Sequence, residues 1–246
     1  MAFFKTKGFP FSKSVKGRIV GMERMDERQL RNFVSHAIPC EFFQRPTVEV
    51  ARELLGKTFV VKGMDGEYAA GIITEVEAYL GVEDRGCHAY GGHRSQRNEA
   101  MYLPGGHIYV YQCYGFHHLL NFVTSEENEP EAVLLRAIQP ITGISAMLRR
   151  RKQNRISPAL TTGPARTTQA LGITTQSHNG RKLEPPELFV STYKAVRVAS
   201  ADIVTTPRIG IAYAGPDALL PLRFYIKGNA YVSKPLFPKY EIRSAS

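Results

Sequence analysis

No stretch of the 246 residues approaches the ~18 to 20 consecutive apolar residues of a membrane-spanning helix, so a soluble chain is expected. Cysteine is scarce. Cys40, Cys87 and Cys113 are odd in number and irregularly spaced, which fits a reducing interior rather than a disulfide scaffold. The N-terminus has no continuous apolar core of the kind a secretory signal needs. Internal repeats and low-complexity tracts are missing too, and 43% hydrophobic residues argue against wholesale disorder. Several chemical signatures are also lacking. There is no C-x-x-C or H-x-x-x-H pair, so His88, His117 and His118, with Cys87 and Cys113 close by, do not make a zinc pattern and no metal is expected. "PGGH" has neither the Walker spacing nor its Lys, and no G-x-S-x-G nucleophile signature occurs.

Acidic residues are absent where basic ones gather. Residues 145–182 hold eight Lys/Arg and no Asp/Glu, and residues 1–40 hold eight Lys/Arg against three acids. The rest of the chain is slightly acidic, so the whole net charge of +10 comes from these two stretches. Clustered bases are the footprint of a polyanionic partner, although a solvated basic surface reads the same way from charge alone. Arginine is scarce among the first 20 residues. Residues 1–40 therefore read as a flexible basic arm, with one helical turn around Asp26 to Phe33, rather than as an organellar targeting segment.

What is present reads as one mixed α+β domain over 41–240, followed by a short tail at 241–246. "RPTVEVARELLG" predicts a helix with Thr47 as N-cap, Val50, Ala51, Leu54 and Leu55 on one stripe, and Gly56 as the stop. Strands are expected at 57–62, 71–80, 107–114 and 132–140, with late ones at "PRIGIAY", "LRFYIKG" and "AYVS". "GISAMLRRRK" and "GPARTTQALGI" read as helices, the second opened by Pro164.

The chemical interest begins at "TEVEAYLGVEDRGCHAY". Side chains of a strand alternate, so 73, 75, 77 and 79 should share a face opposite the mostly apolar 72, 74, 76, 78 and 80. Glu75, Glu77 and Tyr79 thus stand together, on a face built either for chemistry or for solvent. Arg136 sits inside the apolar run "VLLRAIQ", where a guanidinium is costly to bury unless a carboxylate meets it; Glu77 is the candidate. Tyr79, Tyr109, Tyr111 and Tyr114 lie near these charges, and aromatics interleaved with charge suit a flat π-system such as a nucleobase.

At "EVEAYLGVEDRGCHAYGG", "GGHIYVYQCYGFHHLLNF", "AVLLRAIQP", "TTGPARTTQALGI" and "PRIGI…LRFYIKGNAYVS" the sequence resembles the alkyladenine (3-methylpurine) DNA glycosylases. The five blocks run in order from about Arg45 to Ser233. The resemblance implies a curved, mainly antiparallel sheet with a protruding hairpin and flanking helices. It implies a monofunctional, cofactor-free enzyme that removes alkylated or deaminated purines from double-stranded DNA. Its expected state is monomeric, without a membrane, and located with the genome: the nucleus in a eukaryote, the cytoplasm in a bacterium. Carried over by residue, Glu77 is the general base, and Arg136 and the main-chain carbonyl of Ile209 hold the water. Tyr79, His88 and Tyr111 stack on the extruded base, and Asn121 lies at the pocket floor. Tyr114 is the minor-groove wedge and Phe116 holds a pocket-edge position. Arg166 touches phosphate where the family usually has Lys, and Thr167 replaces a usual Leu. No Lys occupies a matched pocket position, hence the expectation of no lyase step. The rival readings are a non-catalytic damaged-DNA-binding protein of the same fold, a metal-dependent nuclease using Glu75, Glu77 and the histidines, and a formyl-transfer enzyme.

Overall fold

A computed structural model describes residues 24–234. Residues 1–23, most of the stretch read as an arm, and the tail at 241–246 lie outside the described residues. The architecture is built on β2 (Tyr68–Tyr79), a 12-residue strand. Along one edge β2 pairs with β5 (Glu131–Thr142). Along the other edge it serves two partners: β1 (Thr58–Lys62) opposite residues 68–72, and β8 (Arg223–Ile226) opposite residues 75–77. The sheet extends through β4 (His117–Thr124) to β3 (Ile108–Cys113) on one side. On the other, β1 pairs with β6 (Leu188–Ser191) and β8 with β7 (Ile203–Thr206). All these pairs are antiparallel and the eight strands make one open sheet, in line with the expected α+β fold.

Both faces of the sheet are covered. The main core joins Phe43, Val50 and Leu54 to Phe59, Ile108, Phe122, Leu135 and Leu171. It draws on α2 (Thr47–Leu54), α3 (Ile144–Arg150) and α4 (Pro164–Leu171). The opposite face packs Val60, Ala70 and Phe189 under Phe33 of α1 (Glu27–Val34). Asp26 caps α1 by accepting from the Gln29 N–H at 2.7 Å. The described part of the expected arm, residues 24–40, is therefore anchored by a fully buried phenylalanine.

Several expectations need correcting. Pro46, not Thr47, holds the N-cap position of α2; the Thr47 hydroxyl instead meets Thr124 Oγ1 and Glu131. "PRIGIAY" is not a strand. The strand ends at Thr206, because Pro207 has no N–H for a ladder and Arg208 turns inward to an ion pair. "AYVS" is an extended strap whose Ser233 N–H is taken by a side chain rather than a neighbouring strand. Strands β4, β6 and β7 fall outside the expected ones: β4 opens with two histidines and runs HHLLNFVT without regular alternation, and the other two are only four residues long.

Ile73 does not share a face with Glu75. Ile73 and Val76, three apart, both enter the main core, which a regular two-residue period forbids. Register shifts on either side of Glu75 supply the extra residue, a bulge of the kind that re-aims side chains.

Phe59 is fully buried and meets the Phe122 ring edge-on at 5.2 Å between centroids. Phe59→Ala is expected to lower unfolding free energy by about 3 to 5 kcal/mol, as measured by urea denaturation.

Candidate active site

The bulged end of β2 delivers two carboxylates to one guanidinium. Glu75 and Glu77 are both fully buried, so neither is the solvent-facing strand residue that spacing alone would favour. Arg136, reaching across from β5, donates from Nε to Glu75 Oε1 at 2.8 Å and places Nη1 3.2 Å from Glu77 Oε2. Glu77 has two further donors. The Tyr79 hydroxyl reaches Oε2 at 3.0 Å, and the Ile209 N–H reaches Oε1 at 2.8 Å. The contact that Ile209 makes with Glu77 is therefore through its N–H.

Tyr79, Arg136 and Ile209 also line a cavity of about 420 Å³ together with His88, Tyr111 and Asn121. Here the sheet's alternation matters: Tyr109 and Tyr111, two apart on β3, turn to the same side with centroids 5.4 Å apart. His88 stands edge-on to Tyr111 at 4.6 Å, and its Nδ1 pairs with the Tyr109 hydroxyl at 2.9 Å. Asn121 donates to the Tyr109 carbonyl at 3.1 Å. Burial, helped by Arg97 and His93, holds the His88 imidazole below its ordinary pKa, so near neutral pH it adds no positive charge to the aromatic wall.

Beyond the cavity mouth, β3 and β4 are joined by three residues, 114–116. Tyr114 at the tip is 85% exposed and left-handed, with φ 51°, a conformation that costs a non-glycine residue about 1 to 2 kcal/mol. Phe116 is not at the cavity edge. It is exposed and lines a separate groove with His117 and His118, 4.1 Å from the His117 ring. Arg166 lies in a groove beside the hairpin that it shares with Arg151, Tyr114 and Lys234.

The basic stretch 145–182 is only partly free. Arg149 and Arg150 pair with Asp65 and Glu67, and Arg181 pairs with Glu187. Thr167 is buried, and its hydroxyl donates to the main-chain carbonyl of Arg136 at 3.1 Å.

Sequence reasoning missed the second ion pair. Arg208 meets Asp84 through two bonds of 2.5 and 2.7 Å, caps the Ala78 carbonyl at 3.0 Å, and lies 4.7 Å from the Tyr79 ring centroid. It ties the segment carrying Ile209 to the loop after β2. A side chain at Gly86 would meet Arg208 Nη2 at 2.8 Å, which accounts for the glycine. Both partners sit in irregular segments, where no periodicity signals a pairing.

Four carboxylate oxygens from one strand end thus meet one shared guanidinium beside a tyrosine-lined cavity, and the sequence profile of the Methylpurine-DNA glycosylase (MPG) family matches residues 41–230. The chain belongs to this family. Among similar proteins of the methylpurine-DNA glycosylase type, one from Chlamydia felis is 44% identical over 191 residues, covering 77% of this chain and 95% of its own. One from Bdellovibrio bacteriovorus is 41% identical over 80% of this chain and 98% of its own. One from Bacillus licheniformis is 42% identical over 80% and 96%. Each carries the name "Putative 3-methyladenine DNA glycosylase".

Burial raises the Asp84 pKa, but the Arg208 bonds and the Leu80 and Gly86 amides outweigh it, leaving Asp84 below its ordinary 3.8. For Glu75, burial is likewise outweighed, here by Arg136 and Arg223, leaving it below 4.5. Both carboxylates therefore contribute stability that is complete above those ordinary values and is lost as pH falls through the lower folded ones. Asp84→Asn is expected to destabilise by about 3 to 5 kcal/mol near neutral pH and to flatten the acid decline. Urea denaturation at neutral and acid pH measures both.

Proposed function

We propose that the protein is a monofunctional DNA glycosylase that flips damaged purines out of duplex DNA and hydrolyses their N-glycosidic bond. The substrate class is alkylated and deaminated purines: 3-methyladenine, 7-methylguanine, hypoxanthine and ethenoadenine. The observation that carries this reading is Glu77, a fully buried carboxylate whose three donors, from Tyr79, Arg136 and the Ile209 amide, all belong to residues of the cavity wall.

The roles follow from chemistry. A base inside the stack is unreachable, so it must leave the helix, at a cost of a few kcal/mol. Tyr114 at the hairpin tip fills the gap and favours a bent duplex. In the cavity, Tyr79, Tyr111 and His88 stack on the purine. A cationic alkylated base gains ~0.5 to 2 kcal/mol from the rings, and a neutral His88 does not repel it. Asn121 at the floor disfavours the 2-amino group of guanine.

Glu77 Oε1 has one donor, the Ile209 N–H, and a carboxylate oxygen can take two. A water held there by Arg136 and the Ile209 carbonyl attacks the anomeric carbon. As the C–O bond forms and the C–N bond breaks, the pair of the C–N bond goes to the purine and the water proton goes to Glu77. A cationic purine leaves neutral without an acid; hypoxanthine must gain a proton. Arg166 contacts phosphate. Such chemistry belongs with the genome, inside the cell, and uses one copy of the chain. A metal-dependent nuclease reading is disfavoured because both glutamates are fully buried against the Arg136 guanidinium, a cation already standing where a metal would have to bind.

A duplex containing one hypoxanthine, incubated with the protein and then treated with alkali, tests the activity. Strand cleavage only after alkali is the expected result; cleavage without alkali would contradict a monofunctional enzyme. Glu77→Gln should keep lesion binding and lower single-turnover excision by about 10²- to 10⁴-fold. Arg166→Ala should weaken binding to all duplexes and reduce the salt slope by roughly 0.9, read from affinities over a salt series.

A further inference from the structure

Arg136 has a second carboxylate, and the excision chemistry described above gives it no role. Glu75 is fully buried, and its oxygens take four donors. Oε1 accepts from Arg136 Nε at 2.8 Å, Arg223 Nε at 2.8 Å and Ser233 Oγ at 2.7 Å; Oε2 accepts from the Ser233 N–H at 2.6 Å. The same strap reaches both cations. Arg136 Nη2 donates to Ser233 Oγ at 3.2 Å, and Arg223 Nη2 donates to the Ser233 carbonyl at 2.8 Å. Two carboxylates, Glu75 and Glu77, and two guanidiniums, Arg136 and Arg223, thus balance in charge inside the protein.

The geometry divides the labour on Arg136. Glu75 holds its Nε side and Ser233 its Nη2, leaving Nη1 for Glu77. An arginine side chain has four rotatable bonds, and a guanidinium held by Glu77 alone could meet it at any edge. Fixing two edges leaves the third with one direction. The segment after β8 supplies part of this fixation although it lines no stacking wall.

We propose that Glu75 is a positioning residue for base excision, orienting Arg136 toward Glu77, and that the strap ending in Ser233 locks Glu75 in place. The proposal rests on the glycosylase reading and adds to it a residue outside the cavity and a segment outside the sheet.

The test is single-turnover excision on a lesion duplex that the wild type cuts, with lesion binding measured in parallel by competition, for Glu75→Gln and Ser233→Ala. Glu75→Gln keeps the shape but not the charge, and should slow excision about 100-fold, the size of effect that slight misplacement of a reacting group produces. Affinity for the lesion duplex should stay within about threefold, since the loss is confined to the reacting state. Ser233→Ala removes the hydroxyl and spares the backbone N–H; one hydrogen bond predicts a slowing of roughly fivefold. Rates of both variants within about twofold of wild type overturn the proposal. A loss of binding that parallels the loss of rate also overturns it, because that marks a defect of fold rather than of orientation. If Glu75→Gln does not fold, Ser233→Ala decides, and an unchanged rate overturns the proposal. A wild type that excises no base from any lesion duplex is a separate result, which overturns the glycosylase reading itself.

Discussion

One guanidinium shared between two buried carboxylates governs this structure. Burying a lone charge is prohibitive, and burying a pair breaks even only if nearly every donor and acceptor is met. Arg136, Glu75 and Glu77 satisfy that condition by recruiting Arg223, Tyr79, Ser233 and the Ile209 amide. The partners come from β2, β5, β8 and two irregular segments, so the charge requirement ties together parts of the chain that hydrophobic packing alone would not set in register. The bulge at Glu75 belongs to the same constraint, since it lets β2 feed the core with Ile73 and Val76 while both glutamates reach Arg136.

Around this centre the polar network is graded outward. The Arg208–Asp84 pair fixes the segment bearing Ile209 and stacks a cation on the Tyr79 ring, so the two sides of Glu77 are held by separate ion pairs. Farther out, His88 is kept uncharged by burial. At the surface, three bases that look free in the sequence, Arg149, Arg150 and Arg181, are spent on Asp65, Glu67 and Glu187. Arg151, Arg166 and Lys234 share the groove beside the hairpin.

What the sequence disclosed follows the same gradation. The long strands β2 and β5 and the helices α2, α3 and α4 were legible from periodicity, and Arg136 stood out as one charge in an apolar run. Arg223 offers the same cue in "LRFY", but its partner Glu75 lies 148 positions away and is reached through a strap that resembles a strand. Strand β4 hid because its polar residues, His117, His118, Asn121 and Thr124, follow no two-residue period. Asp84 and Arg208 sit in segments without period, and the ion pairs of Arg149 and Arg150 exist only in three dimensions. Local pattern reports which side chains want burial; it is silent on who meets them there.

The hairpin carries one more implication. Tyr109 and Tyr111 on the cavity wall and Tyr114 at the exposed tip belong to one short run of backbone, and only three residues join the two strands. At about 3.3 Å per residue of strand, the tip stands at most some 10 Å from the wall tyrosine Tyr111. The exposed tip is therefore carried by the same strand that builds the aromatic wall, like the jaws of a caliper on one bar. Lengthening the turn by a residue would change the reach without touching the slot, whereas shifting the register of β3 against β4 would alter both together.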